Sequence, residues 1–308
     1  MRVLISGASG FIGTHCLHRL MAEDCDIHAV NRTGKGTAGR RVTWHAADLR
    51  DPAQAVNLIE AVRPTHLLHG AWVATPRVYA NSPENADWLQ ASLAMAWAFG
   101  RAGGARFVGV GSSAEYAPGE APCIEDETPV RPASIYGKCK AACWLGAAAA
   151  AQHHRFSAAW GRVFLPYGPG DPPQRLIPLV LATLRAGKPL PATQGTQVRD
   201  FIYAPDVADL LVRLLLSSQT GAFNIGTGRG TAIRWVIEHL AERCGGGDLV
   251  QFGAIAPAAG DPRVLVADMT KTSRLLGLPV MTTLEAGLDL VSDQTKPPQL
   301  SADTARAE

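Results

Sequence analysis

The 308-residue sequence has no apolar run approaching the roughly 18 residues that a membrane-spanning helix needs. It also lacks a charge of one sign. The 29 Lys and Arg nearly cancel the 27 Asp and Glu, leaving a formal +2, and no dense basic stripe is present to neutralise nucleic-acid phosphates. A small anionic ligand therefore fits better than nucleic acid or a membrane. The six cysteines (Cys16, Cys25, Cys123, Cys139, Cys143, Cys244) show no C-x-x-C spacing, which argues against a zinc site and a disulfide framework. They read as buried or incidental thiols. His66 and His69 flank an apolar strand and His153-His154 end a helical pattern; neither pair has metal-ligating company, so no metal is expected. The N-terminus runs straight into a strand, without the charged and apolar regions of a secretion signal. The expected location is cytoplasmic.

What is present is ample core material: 47% hydrophobic residues, 18% charged and a mean hydropathy of +0.03, without the signature of disorder. The length suits either one large unit or two packed lobes. Up to about residue 165, short apolar runs (Val3 to Ile5, Ile27 to Val30, Val42 to His45, Leu67 to Leu68, Phe107 to Val110, Ala158 to Phe164) alternate with helical patterns. That is how an α/β parallel sheet covered on both faces is written. Long helices are expected near Pro83 to Ala102 and Ser134 to His154, the second containing the alanine tract Ala147 to Ala151, whose small side chains permit close packing. After Pro166 comes a Pro/Gly-rich turn, Tyr167-Gly168-Pro169-Gly170-Asp171-Pro172-Pro173, then a helix from about Arg175 to Ala186. A strand Asp200 to Tyr203, a helix capped by Asp206 and a strand Phe223 to Ile225 are expected next.

Gly7, Gly10 and Gly13 form G-x-x-G-x-x-G between a strand and a helix. There, backbone N–H groups and the helix dipole can face a pyrophosphate with no side chain in the way. A tight strand-to-helix turn is the plainer reading. At the end of the second strand, where an acid selects NAD, stand Asn31 and Arg32. A missing carboxylate beside a cation favours the 2′-phosphate of NADP, while an ordinary loop charge is the other possibility for Arg32. Asp48 after the third strand is placed either to accept from an adenine amino group or to cap a helix. Tyr136 and Lys140 lie four residues apart, on one helical face, so the ammonium can lower the phenol's pKa from about 10 and make it a proton donor or acceptor. Lys138, two residues on from Tyr136, points elsewhere. Ser112 ends the fifth strand, where a hydroxyl can polarise a carbonyl or alkoxide.

In this order, the motifs resemble the extended short-chain dehydrogenase/reductases, specifically the NAD(P)-dependent nucleotide-sugar epimerase/dehydratase/reductase enzymes. The resemblance spans residues 1 to 290 and also rests on Asp48-Leu49, Ser112-Ser113-Ala114-Glu115-Tyr116, Arg162-Val163-Phe164, Tyr167-Gly168-Pro169, Arg175-Leu176-Ile177-Pro178, Arg199-Asp200-Phe201-Ile202, Asp206-Val207-Ala208 and Asn224-Ile225-Gly226. It implies a Rossmann-like doubly wound parallel sheet with a second, smaller substrate-binding α/β lobe. The dinucleotide domain would be residues 1–165, with 200–225 returning to it; residues 166–199 and 226–290 would form the substrate lobe, and 291–308 a flexible tail. The catalytic triad would be Ser112, Tyr136 and Lys140. Gly7, Gly10, Phe11, Ile12, Gly13, Asn31, Arg32, Asp48, Leu49, Gly70, Ala71, Trp72, Tyr136 and Lys140 would face the cofactor, NADP in preference to NAD. Ser113, Phe164, Arg175, Arg199 and Arg263 would face the substrate, with Arg199 on its pyrophosphate. The seven tryptophans would be mostly core, with Trp72 near the site. The two long helices would pair with a second copy as a four-helix bundle, giving a homodimer.

Departures from the family narrow the reaction. Ser113 and Ala114 stand where 4,6-dehydratases carry an Asp-Glu pair, which argues against dehydration. Leu165 replaces an Asn common in epimerases, and the usual Arg before the late Gly260-Asp261 is missing, so that Arg263 either substitutes or is a surface charge. The segment His69-Gly70-Ala71-Trp72-Val73-Ala74-Thr75-Pro76 with Asn85-Ala86-Asp87-Trp88 is similar to the branch containing CDP-abequose synthase and related 4-ketoreductases. The expected activity is NADP-dependent reduction of a 4-keto (6-deoxy) nucleotide sugar. The alternatives are an NAD-dependent nucleotide-sugar 4-epimerase and, remotely, a catalytically silent dinucleotide sensor.

Overall fold

The structure is a computed structural model that describes residues 1–36, 41–76, 78–258 and 260–294. The first half alternates as its hydrophobic pattern predicts: β1 (Arg2–Ser6), α1 (Phe11–Leu20), β2 (Asp26–Asn31), β3 (Val42–Ala46), α2 (Pro52–Val62), β4 (His66–His69), α3 (Glu84–Arg101), β5 (Arg106–Ser112), α4 (Ile135–His154) and β6 (Ser157–Val163). Local chemistry sets the ends. The Asp51 carboxylate accepts from the N–H of Ala53 at 2.9 Å and Pro52 opens α2, which satisfies an orphan donor and presets the helical φ. Ser134 accepts from Gly137 at 3.1 Å to start α4.

The chain continues through β7 (Leu165–Tyr167), α5 (Leu176–Arg185), β8 (Leu190–Ala192), β9 (Val198–Tyr203), α6 (Ala204–Leu216), β10 (Gly221–Ile225), β11 (Gly230–Ala232), α7 (Ile233–Cys244), β12 (Val250–Phe252), β13 (Val264–Leu265), α8 (Thr270–Leu276) and α9 (Leu284–Gln294). Seven strands form one parallel sheet in the order β10-β6-β5-β4-β1-β2-β3. The order reverses between β1 and β4, so the crevice at their carboxyl ends is left open, where α/β sheets bind ligands. One core lies between this sheet and α1 and α6, and a second lies between its other face and α2, α3 and α4. In the second, a Cβ on Gly146 would strike Leu93, so α3 and α4 approach closely because the tract is made of glycine and alanine. A third core joins Tyr167, Ile177, Leu181, Phe201, Ile237 and Leu288 around a smaller sheet in which β9 pairs with β7, β11 and β13.

Four expectations change here. β9 does not return to the large sheet: its Asp200 carboxylate, fully buried, gathers the N–H groups of Thr227, Gly228 and Ala267, and this holds the strand in the small one. Only α6 and β10 return. Asp206 does not cap α6, which begins at Ala204; its carboxylate instead accepts from the N–H of Thr282 at 2.8 Å. Residues 291–294 are helical rather than tail, because Leu288 and Val291 fill the third core; the rest of that expected tail, 295–308, lies outside the described residues. Of the seven tryptophans only Trp160 is fully enclosed. Trp97 is exposed, and the others are partly buried at the edges of the cores. Among the described residues no helix is long and apolar enough to cross a membrane.

Candidate active site

A cleft of about 1000 Å³ opens at the carboxyl ends of β1, β4 and β5. Its floor is the glycine turn. Gly7 has φ +72° and a Cβ there would come within 2.7 Å of the Gly70 carbonyl carbon, while a Cβ on Gly13 would overlap the Gly7 carbonyl. Only hydrogen is tolerated at both positions, which brings the backbone N–H groups at the start of α1 to the surface of the cleft. This bare cradle at a helix N-terminus fits the pyrophosphate of a dinucleotide. Asn31, Arg32, Asp48 and Leu49 border the same cleft, with Gly70, Ala71 and Trp72 across from them. Asp48 is no helix cap, since Asp51 takes that role. It pairs with Arg50 at 2.9 Å, and this bond holds its carboxyl below the usual range.

Ser112, Tyr136 and Lys140 meet where β5 faces α4. The strand ends in a single helical turn for which Ser112 is the cap: its hydroxyl accepts from Ala114 at 3.2 Å, and its own N–H donates to Glu115 at 2.8 Å. Of the two adjacent serines it is Ser112 whose side chain acts on the Tyr136 phenol, drawing its pKa down. Lys140 is buried and Lys138 exposed, as four- and two-residue spacings from Tyr136 dictate. The Lys140 ammonium donates to the Val110 carbonyl at 2.8 Å, and burial lowers its pKa to about 8. The phenol goes the other way. Burial raises the Tyr136 pKa, against the expected lowering, and the Ser112 side chain offsets this only in part; the Lys140 ammonium, 5.9 Å from the centre of the Tyr136 ring, lies closer to the Trp72 ring, at 4.1 Å, and donates to Val110.

The substrate-side expectations divide. Ser113, Phe164 and Arg175 border the cleft. Arg199 and Arg263 are not among its lining residues. The Arg199 guanidinium donates to Asp261 at 2.6 Å and to the Val198 carbonyl at 2.9 Å, so Asp261, rather than Arg199, reaches the cleft wall. Arg263 is 79% exposed and stands 3.7 Å from Glu120, which leaves it a surface charge.

Two features escaped the motif reading. Glu115 is wholly buried beneath Ser112, accepting from Trp160 at 2.9 Å and paired with Arg162 at 2.9 Å. Its signal was legible as the Ser-x-x-Glu pattern of a capping box. Asp171 also borders the cleft, with a side chain 5% exposed, one oxygen without a hydrogen bond and Arg175 at 3.3 Å. Burial lifts its pKa to about 6 although Arg175 opposes this. Nothing in the sequence distinguishes it from a turn residue. Among the described residues no group of three or more His, Cys, Asp or Glu is arranged to hold a metal.

A model of the NAD dependent epimerase/dehydratase family matches residues 3–226. The UDP-glucose 4-epimerase of Azospirillum brasilense is 30% identical, covering 90% of this chain and 86% of its own; that of Bacillus subtilis (strain 168) is 27% identical, covering 92% and 94%. The UDP-glucose 4-epimerase of Thermus thermophilus, solved in complex with NAD, superposes with a TM-score of 0.84 at 26% identity, covering 95% of this chain and 98% of its own. The matched span contains both the glycine cradle and the three residues that meet beside it. The chain is accordingly an enzyme of the NAD dependent epimerase/dehydratase family, the nucleotide-sugar group of the extended short-chain dehydrogenase/reductases.

Proposed function

We propose that the enzyme reduces the 4-keto group of a (6-deoxy) nucleotide sugar and takes NADP as its dinucleotide. The observation that carries this reading lies at the end of β2. Asn31 is consumed by its own turn, donating to the Lys35 carbonyl at 2.7 Å and accepting from the N–H groups of Thr33 and Gly34 at 3.0 and 2.8 Å. Arg32 follows on the cleft wall. A 2′-phosphate would meet a cation there and no carboxylate at the ribose-binding position. Ser113 and Ala114, in place of an Asp-Glu pair, argue against dehydration.

When bound, a nicotinamide dinucleotide supplies the hydride. The Tyr136 phenol, kept protonated by burial, holds the proton that the C4 oxygen needs as it becomes a hydroxyl. The Ser112 hydroxyl, which borders the same cleft as the phenol, steadies that oxygen. The Lys140 ammonium, anchored on Val110, retains N–H donors for a ribose hydroxyl. Trp97, Ile135 and Leu145 leave apolar surface exposed on α3 and α4, which supports pairing of those helices with a second copy.

The test is mass spectrometry of the dinucleotide released from freshly purified protein, followed by NADPH oxidation with 4-keto-6-deoxy nucleotide sugars. An empty site that accepts NADPH, with turnover lost in Tyr136→Phe, is expected. The names of the relatives favour a second reading, a 4-epimerase. Tightly retained NAD with interconversion of UDP-glucose and its 4-epimer would establish that reading and overturn the first.

A further inference from the structure

Beneath the cleft, a chain of side chains that no catalytic role uses runs from the end of β1 to α3. His69, at the end of β4, is 3% exposed; its Nδ1 lies 2.8 Å from the Ser6 hydroxyl and its Nε2 lies 2.8 Å from the Ser92 hydroxyl. Ser6 and Ser92 are 1% and 2% exposed, so water does not complete these bonds. The Ser6 oxygen also receives two backbone donors, the N–H groups of Gly70 and Ala71, each at 3.2 Å; that of Gly70 is shared with the Ser6 carbonyl.

Counting protons assigns the imidazole. A hydroxyl oxygen accepts at two lone pairs and donates once. Two N–H groups occupy the acceptor side of Ser6, so its own proton must go to His69 Nδ1. The opposite tautomer would crowd three donors onto one oxygen and leave the Ser6 proton facing none of its neighbours as an acceptor, which is costly in a buried site. His69 therefore carries its proton on Nε2 and donates it to Ser92. Burial and the nearby Lys140 charge lower its pKa to about 3, so the ring stays neutral and its proton stays in place.

We infer that His69 is a positioning residue for the dinucleotide, acting through Ser6 on the Gly70-Ala71-Trp72 turn. This rests on the proposed dinucleotide site. The two N–H groups that Ser6 collects belong to the turn that packs within 2.7 Å of where a Cβ on Gly7 would lie, and the next residue, Trp72, places its ring on the Lys140 ammonium. An acceptor at Nδ1 orients the Ser6 hydroxyl, the hydroxyl fixes the turn, and the turn forms the wall opposite the glycine cradle.

Full-length wild type and the variants His69→Asn, His69→Leu and Ser92→Ala should be compared by titration with NADH and NADPH, with thermal melting to check folding. Asn keeps an acceptor near Nδ1 and should bind the preferred dinucleotide close to wild type. Leu removes the acceptor and should weaken binding roughly tenfold. Ser92→Ala should lower the melting temperature while leaving affinity unchanged. Nitrogen NMR of histidine-labelled wild type, which needs no variant to fold, should show one neutral ring protonated at Nε2 from pH 5 to 8. A ring protonated at Nδ1, a folded Leu variant that binds normally, or an Asn variant as weak as Leu would overturn the inference. Wild type that bound neither dinucleotide would overturn the proposed function and the positioning role with it. Normal wild-type binding with indifferent variants would remove the positioning role alone.

Discussion

The Lys140 ammonium sits 4.1 Å from the centre of the Trp72 ring, which in turn is fixed by its indole N–H donating to Asn85 at 2.8 Å. A cation held over an indole face gains about 0.5–2 kcal/mol once desolvated, and that gain favours the charged form of a lysine that burial has brought down to about 8. Trp72→Leu should therefore lower the lysine's pKa by roughly half a unit or more. Because the ammonium is the form proposed to hold the ribose, kcat/KM should fall as pH rises through about 8 in wild type, and at lower pH in the variant. A pH profile of kcat/KM, which reports free-enzyme groups, checks this.

Arg32 should matter to one cofactor only. Arg32→Ala should weaken NADPH binding roughly tenfold, the worth of one hydrogen bond to a charged group, and leave NADH within about twofold, since only the former carries the 2′-phosphate. Parallel titrations with both reduced dinucleotides at fixed salt give the comparison.

Asp171 predicts a pH-dependent stability. Its folded pKa of about 6 lies above its ordinary 3.8, so the folded state binds the proton more tightly than the unfolded one. Stability consequently falls as pH rises through that window, and the cost is fully present above it. Asp171→Asn should raise the unfolding free energy at pH 8, by at most about 3 kcal/mol, and show little difference at pH 4. Denaturant melts at the two pH values test the sign.

The buried pair Glu115 and Arg162, with side chains 0% and 4% exposed, should be intolerant of losing one partner. Glu115→Ala leaves a guanidinium and the Trp160 indole N–H without their acceptor and frees the N–H of Ser112, so a loss of about 3–5 kcal/mol is expected. Glu115→Gln should lose less. Chemical denaturation measures both, and a Glu115→Ala protein as stable as wild type would contradict the assigned geometry.

Local chemistry made much of this enzyme legible in advance. The alternation of apolar runs and helical patterns determined the parallel sheet, because a strand buried on both faces must be apolar throughout. The spacing of Gly7, Gly10 and Gly13 and of Tyr136 and Lys140 placed the cradle and the Tyr/Lys pair beside it, because helix and turn periodicities are short-range rules. Sequence could not say which sheet Asp200 would join, since that depends on N–H groups from Thr227, Gly228 and Ala267, far away along the chain. Nor could it show that Arg199 would be taken by Asp261 while Arg263 faced solvent, or that burial would raise the Tyr136 pKa. Those outcomes depend on desolvation and on the partner each charged or polar group finds, and both are set only when distant segments pack together.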